Sequence, residues 1–411
     1  MSTSATLQHS RRPTAKRTHP PTQGTPGEVF AIFLRLGFIS FGGPIAHLAY
    51  FRDEFVVRRG WLDDVAYADL VSLCQFLPGP ASSQVGIALG YLRAGLPGSL
   101  LAWLGFTLPS AVLMVGFALG LVALGPADAG WLVGLKVFAA AIVAQAVWGM
   151  ARALCPDAAR RGIAIAVTGL LLVLPWPQAQ LGAMVLAGAV GWLVLRVPPA
   201  LHRGSFEVSA PRGLGIAALA AFALLLIGLP ALASALPADL LDLFSVFYRA
   251  GALVFGGGHV VLPLLQAQVV PPGWIDNDTF LAGYAAAQVV PGPLFSFAAF
   301  LGAVIPLPGG WTGAVVALLG IFTPAFLLVF GALPFWQGAL QRPALRSAIA
   351  GVNAGVGGVL LAALITPVAT SALGTIADGM LAVAALAALL LGRVPAWAVA
   401  ASCALAGALL H

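Results

Sequence analysis

The chain has 411 residues, of which 60% are hydrophobic and only 8% are charged, against about 25% in ordinary soluble domains. A soluble fold of this length leaves far more Lys, Glu, Arg and Asp in water, so the composition excludes one and makes the bilayer the solvent for most of the chain. The net charge of +6 is scattered over short loops and the N-terminal tail without a basic stripe, which argues against a nucleic-acid surface.

Residues 1–27, rich in Ser, Thr and Pro with Arg11, Arg12, Lys16 and Arg17, are predicted to be a disordered cytoplasmic tail. The Arg11-Arg12 pair is followed by Pro13-Thr14-Ala15-Lys16 where a signal peptide would turn hydrophobic. Apolar segments then run over Val29–Phe51, Val65–Tyr91, Gly98–Leu124, Trp131–Met150, Gly162–Trp176 and Leu181–Leu195. After a lone segment at Leu214–Leu232 come Phe244–Val270, Phe280–Ile305, Trp311–Phe335, Ala348–Ile365, Met380–Leu391 and Ala396–Leu410. Several reach the roughly 20 residues that span a bilayer as helix, and the ten-residue alternation of a membrane barrel is absent. The predicted fold is an all-α polytopic membrane protein. Cys74, Cys155 and Cys403 lie far apart and support neither a disulfide framework nor a metal site.

An internal repeat organises these segments. Phe33 to Gly43 (FLRLGFISFGG) matches Phe247 to Gly257 (FYRAGALVFGG) at an offset of 214 residues. Trp61-Leu62-Asp63-Asp64 matches Trp274-Ile275-Asp276-Asn277 at 213, and Gln75 to Pro80 (QFLPGP) matches Gln288 to Pro293 (QVVPGP) at 213. Gly105 and Pro109 match Gly320 and Pro324 at 215. The expected organisation is two homologous halves, 28–200 and 243–411, joined by residues 201–242 with one inverting helix. Loop charge supports the inversion. In the first half Arg52, Arg58 and Arg59, then Arg152, Arg160 and Arg161, mark one side, whereas 125–130 and 176–180 carry no Lys or Arg. In the second half 270–280 and 366–379 carry none, while Arg342, Arg346 and Arg393 sit in the alternate loops. By the positive-inside rule the halves are inverted in the membrane, as in many secondary transporters. Parity then predicts re-entrant hairpins at Val29–Phe51 and Val65–Tyr91 and at their repeats, with four spans per half.

The candidate site residues lie at the breaks. Gly42, Gly43, Gly256 and Gly257 allow the backbone to turn or approach a partner. Pro78-Gly79-Pro80 and Pro291-Gly292-Pro293 stop one helix and start the next, whose free amides and dipole, with Ser82, Ser83 and Ser296, would form an anion site made of backbone. Arg35 and Arg249 are repeat-matched cations inside apolar segments, where charge usually faces a partner or a cavity; together they could balance a dianion, or Arg35 could snorkel. Lys136, near the start of its segment, is expected to snorkel. His47 and His259 could relay protons or serve as hydrogen-bonded structural residues, and Asp69 could titrate or pair with a base. Asp63, Asp64, Asp276 and Asn277 read as helix N-caps, and Trp61 and Trp274 as interfacial. No P-loop, zincin or hydrolase signature is present, so neither an enzyme nor a cofactor or metal is indicated.

The string from Phe33 to Pro44, Ala46 to Arg52, Trp61-Leu62-Asp63, Leu73 to Pro80 with Ser82-Ser83-Gln84, and Gly105 to Pro109 resembles the chromate ion transporter family. Phe255 to His259 and Gln288 to Pro293 are similar to the C-terminal repeat of that family's two-domain form. The resemblance implies a bacterial inner-membrane protein that exports chromate and confers resistance, with the anion and the bilayer as partners and a homodimer compatible with the pattern. Sulfate or another tetrahedral oxyanion is the alternative substrate, and an anion channel the alternative class.

Overall fold

The structure is a computed structural model that describes residues 24–124, 130–174, 177–197, 211–236, 238–255, 258–335, 342–391 and 394–411. Most of the predicted tail (1–23) and Gly256 and Gly257 lie outside the described residues.

Helix α1 (Pro26–Ile39) starts just inside the predicted tail. Thr25 accepts the Glu28 backbone N–H, and Pro26 occupies the first turn, where its missing N–H costs nothing. Gly42, in the left-handed region at φ 97°, turns the chain into α2 (Gly43–Arg52). α3 (Asp64–Phe76) is capped by Asp63, which accepts the Ala66 N–H, and ends before the first Pro-Gly-Pro. α4 (Ala81–Leu124) breaks at Ala94 and Gly95 and doubles back on itself. Its two limbs touch through Gly90 and Gly98, where any Cβ would collide with the facing carbonyl. α5 (Gly130–Leu154), α6 (Ala158–Val173) and α7 (Pro177–Val194) complete the first half.

After the linking helix α8 (Arg212–Ala235), the second half repeats the order with α9 (Asp239–Leu253), α10 (Val261–Val269), α11 (Asn277–Ala287), α12 (Phe297–Val304) and α13 (Gly310–Ala332). α14 (Pro343–Ala363), α15 (Ile376–Leu390) and α16 (Ala396–Leu410) close the chain. Asp276 caps α11 as Asp63 caps α3. At 1.5 Å per residue α1 and α2 are about 21 and 15 Å long, each short of the roughly 30 Å hydrocarbon core. The arms α9 and α10 are similarly short, as re-entrant segments require. Among the described residues, five stretches are long and apolar enough to cross a membrane: Ala81–Ala123, of which only the limb after the Ala94-Gly95 break has that length, Gly130–Leu154, Arg212–Ala235, Gly310–Phe335 and Pro343–Ala372. The sequence predicts four spans per half, but α6, α7, α15 and α16 are shorter, about 22–27 Å, and must rely on flanking residues or local thinning to cross.

The halves exchange helices. α6 and α7 pack on α14 of the other half, and in return α15 and α16 pack on α5. Small residues make the close approaches: Gly191 and Gly351 lie back to back, and Gly134 faces the Cys403 carbonyl. Lipid gives helices no hydrophobic reason to associate, so such glycine contacts, which let backbones meet, carry much of the packing. Phe117 stacks on Phe300 across the halves at 5.6 Å between ring centres. Lys136, expected to snorkel, instead pairs through Nζ with Asp278 at 2.9 Å, tying α5 to α11.

Candidate functional site

The four broken hairpins meet at one place, in a reciprocal pattern. The Gly79 N–H donates to the Val254 carbonyl at 2.6 Å, and the Gly292 N–H donates to the Ser40 carbonyl at 2.9 Å. Val254 is the repeat equivalent of Ser40, and Gly292 that of Gly79. Pro44 lies against Gly258, its own equivalent at offset 214. A contact made once in each direction, with self-equivalent residues at its centre, is the mark of a two-fold axis. Both glycines have positive φ, 123° at Gly79 and 98° at Gly292, a conformation that strains any residue with a Cβ.

Polar side chains gather on the first-half side of this axis. His47 is fully buried, with Nε2 3.2 Å from the Ser40 carbonyl and Nδ1 3.2 Å from Ser82 Oγ. A carbonyl only accepts, so Nε2 carries the proton, and Nδ1 of the neutral ring accepts from the Ser82 hydroxyl. Phe106 packs edge-on against the imidazole. On the segments that hold this histidine, the Oγ atoms of Ser40 and Ser83, Gln84 Oε1 and, next to Phe106, Thr107 Oγ1 are buried without a hydrogen-bond partner. Buried polar atoms are normally paired, so such orphans call for a ligand or water. The second half does not repeat this chemistry. Ser82 and Gln84 correspond to Phe295 and Phe297, and His47 to Val261. Ser296, the match to Ser83, turns its hydroxyl back onto the Pro293 carbonyl at 2.8 Å. His259 sits instead beside Tyr284 Oη at 3.0 Å and Gln288 Nε2 at 3.4 Å.

The two repeat-matched arginines also differ. Arg35 is 55% exposed and reaches toward Glu54 at 3.8 Å. Glu54, only 5% exposed, also takes Arg58 at 2.6 Å and Arg59 at 2.7 Å, while Glu28 takes Arg59 and Arg93. Burial alone would raise the Glu54 carboxyl, but the Arg59 hydrogen bond and the charges of Arg59, Arg58 and Arg35 outweigh it and hold it below the usual carboxylate range. Its stabilising effect is therefore in place above the ordinary value of 4.5 and is lost as pH falls through the lowered one. Glu54→Gln should cost about 2 kcal/mol, less than a fully buried pair because the arginines are partly solvated. In a series of melting temperatures from pH 6 to pH 3 the variant should start lower and fall less steeply; parallel curves would contradict the assignment. Arg249 has no ion pair or hydrogen bond among the described residues. At the position matching Glu54, offsets of 213 and 214 give Ala267 and Gln268, so the second half keeps the arginine without its carboxylate.

The sequence model of the chromate transporter family matches residues 27–193 and again 241–408. The chain belongs to this family. It is similar to the chromate transport protein of Pseudomonas aeruginosa, 31% identical over 351 residues that cover 83% of this chain and 80% of that one. The chromate transport protein of Cupriavidus metallidurans is 27% identical over 358 residues, 85% of this chain and 84% of its own. An uncharacterised transporter of Methanocaldococcus jannaschii is 24% identical over 340 residues, covering 80% and 82%. No solved structure matches the chain.

In this chromate transporter family member, a multi-pass membrane protein, the structure brings together His47, Gly79, Ser82 and Gly292 of the predicted site residues, with Ser40 between them. Asp69 is outside that group: its Oδ2 is buried with no partner. Ser40, Gln84 and Thr107 emerge only from the structure, because a polar residue in an apolar run says nothing of its neighbours across the fold. Glu54 had a legible signal, a carboxylate between Arg52 and the Arg58-Arg59 pair.

Proposed function

We propose that the protein exports chromate from the cytoplasm across the bacterial inner membrane by alternating access, lowering cytoplasmic chromate and giving resistance. The observation that carries the reading is the reciprocal lock of both Pro-Gly-Pro breaks onto the opposite hairpins, beside buried His47 and Ser82 and with unpartnered buried polar atoms on the same segments. Helix starts and hydroxyls suit a tetrahedral oxyanion, and the relatives named as chromate transport proteins supply the anion's identity. Arg249 is the cation of the site, within five residues of Val254 or about 7.5 Å of helix. A proton on His47 Nδ1 would make the ring donate to Ser82 and turn that hydroxyl outward as a donor, a route for proton coupling. Without coupling, a dianion leaving an inside-negative cell gains about 4.6 kcal/mol per 100 mV, twice the value for one charge, so export can run on the potential alone.

Inverted membrane vesicles with an imposed potential test this. The parent should accumulate radiolabelled chromate, and Ser82→Ala should reduce the initial rate about tenfold, the loss of one hydrogen bond to a charged group. Accumulation no higher than in vesicles lacking the protein would sink the reading. Sulfate competition in the same assay separates a chromate carrier from a general oxyanion carrier, and single-channel currents would favour a channel.

A further inference from the structure

On the face away from the arginine-bearing loops, α6, α7, α10 and the end of α14 enclose a cavity of about 490 Å³. The described segments beside its lining residues, 177–180, 270–280 and 366–379, carry no Lys or Arg, which places its mouth on the outer side. None of its described lining residues is charged, and its polar wall consists of Gln180, Gln266, Asn277, Thr366 and Ser371. Gln180 is buried, and its Nε2 has no hydrogen-bond partner. The others form a directed chain: Gln266 Nε2 donates to Asn277 Oδ1, Asn277 Nδ2 to Ser371 Oγ at 2.7 Å, and Ser371 Oγ to the Pro367 carbonyl at 2.7 Å.

The pseudo-two-fold gives this wall a twin on the cytoplasmic side. Gln266 corresponds to Arg52 at offset 214 and Asn277 to Asp64 at 213. Arg52 and Asp64 form an ion pair, Nε to Oδ1 at 2.8 Å. The second half therefore keeps the contact and deletes its charges. Near the charged copy stand Arg58 and Arg59; the loop of the neutral copy has no cation of its own, and the one that meets it, Lys136 of α5, is taken up by Asp278.

We propose that the outer cavity is the exit site of the transported oxyanion, a vestibule where a tetrahedral dianion is held by neutral N–H and O–H donors alone, with the free Gln180 amide as its main contact. This rests on the transport reading above. An anion gathered where cations are plentiful is released where only neutral donors remain, since a pathway must bind its ion well enough to admit it and weakly enough to let it go. No carboxylate is among the described lining residues; Asp276, Asp278 and Asp378 lie in the flanking segments, Asp278 paired with Lys136 and Asp378 with His411. The volume exceeds that of one oxyanion, so the ion keeps part of its water there.

The three native cysteines are buried, so Thr366→Cys in the full chain presents one reactive thiol in the cavity, and Leu172→Cys on the opposite wall serves as a second probe. An impermeant sulfonated methanethiosulfonate should label both from outside intact cells and neither from the cytoplasmic face of inverted vesicles. External sulfate should slow labelling saturably, chloride at equal ionic strength should not, and adding Gln180→Leu should raise the sulfate required about tenfold. Labelling from the cytoplasmic face alone, or a rate indifferent to sulfate at both probes, would overturn the exit site. Sulfate protection without chromate flux in the parent would instead overturn the transport reading and leave the anion site standing; flux without protection does the reverse.

Discussion

Chromate flux should fall by about tenfold or more in Arg249→Gln, and change little in Arg35→Gln. The two residues are repeat equivalents, so sequence alone gives them the same weight. The structure separates them, because Arg35 is largely exposed and shares Glu54 with Arg58 and Arg59, whereas Arg249 has no carboxylate partner among the described residues. Two unit charges 4 Å apart interact by about 4 kcal/mol at an effective dielectric of 20. A tenfold change needs only about 1.4 kcal/mol, so the loss should remain visible even if water weakens the contact. Arg249→Lys, which keeps the charge and loses the planar fork, should fall between. The measurement is the initial rate of radiolabelled chromate uptake into inverted vesicles, corrected for the amount of protein. Equal losses at both arginines would restore a symmetric site, and an unchanged rate in Arg249→Gln would remove this residue from it.

Gly191→Ala should cost on the order of 3 kcal/mol of stability, while Gly182→Ala in the same helix should be neutral or slightly stabilising. A Cβ at Gly191 would stand 2.5 Å from Gly351 Cα and 2.7 Å from the Ser347 carbonyl, so α7 and α14 would have to part. Overpacking of this kind typically costs about 1–3 kcal/mol, and a backbone cannot yield as a side chain does. At Gly182 the same methyl meets nothing within 4 Å, and alanine is favoured over glycine in a helix by about 1 kcal/mol. Thermal challenge in detergent followed by size-exclusion recovery would measure both. If the two variants lose the same amount, the exchanged helix pair is not what holds the halves together.

The breaks, caps and duplication were legible because they are written in local chemistry. Pro-Gly-Pro cannot continue a helix, Asp63 and Asp276 cap the helix that follows each, and the two copies lie in register along the chain. What the sequence hides is pairing at long range. Lys136 and Asp278 lie 142 residues apart with nothing local to connect them. The exchange of α6 and α7 for α15 and α16 is invisible for the same reason, since an apolar helix with glycines on one face fits many neighbours. The candidate site is legible only in part: Pro78 to Ser83 mark its position, but the departures of the second half, Phe295 and Phe297 in place of Ser82 and Gln84, acquire meaning only when the axis shows which residues face each other.

The exchange of helices also sets a schedule for biosynthesis. α7 ends at Val194, and the helix against which it finally packs begins at Pro343. At 5–20 residues per second the ribosome takes about 7–30 s to make the intervening chain. Through that interval α7 has α6 but not the partner its Gly191 meets in the finished fold, and an apolar face left against lipid carries no hydrophobic penalty. The first half thus enters the membrane unfinished and is completed by the second.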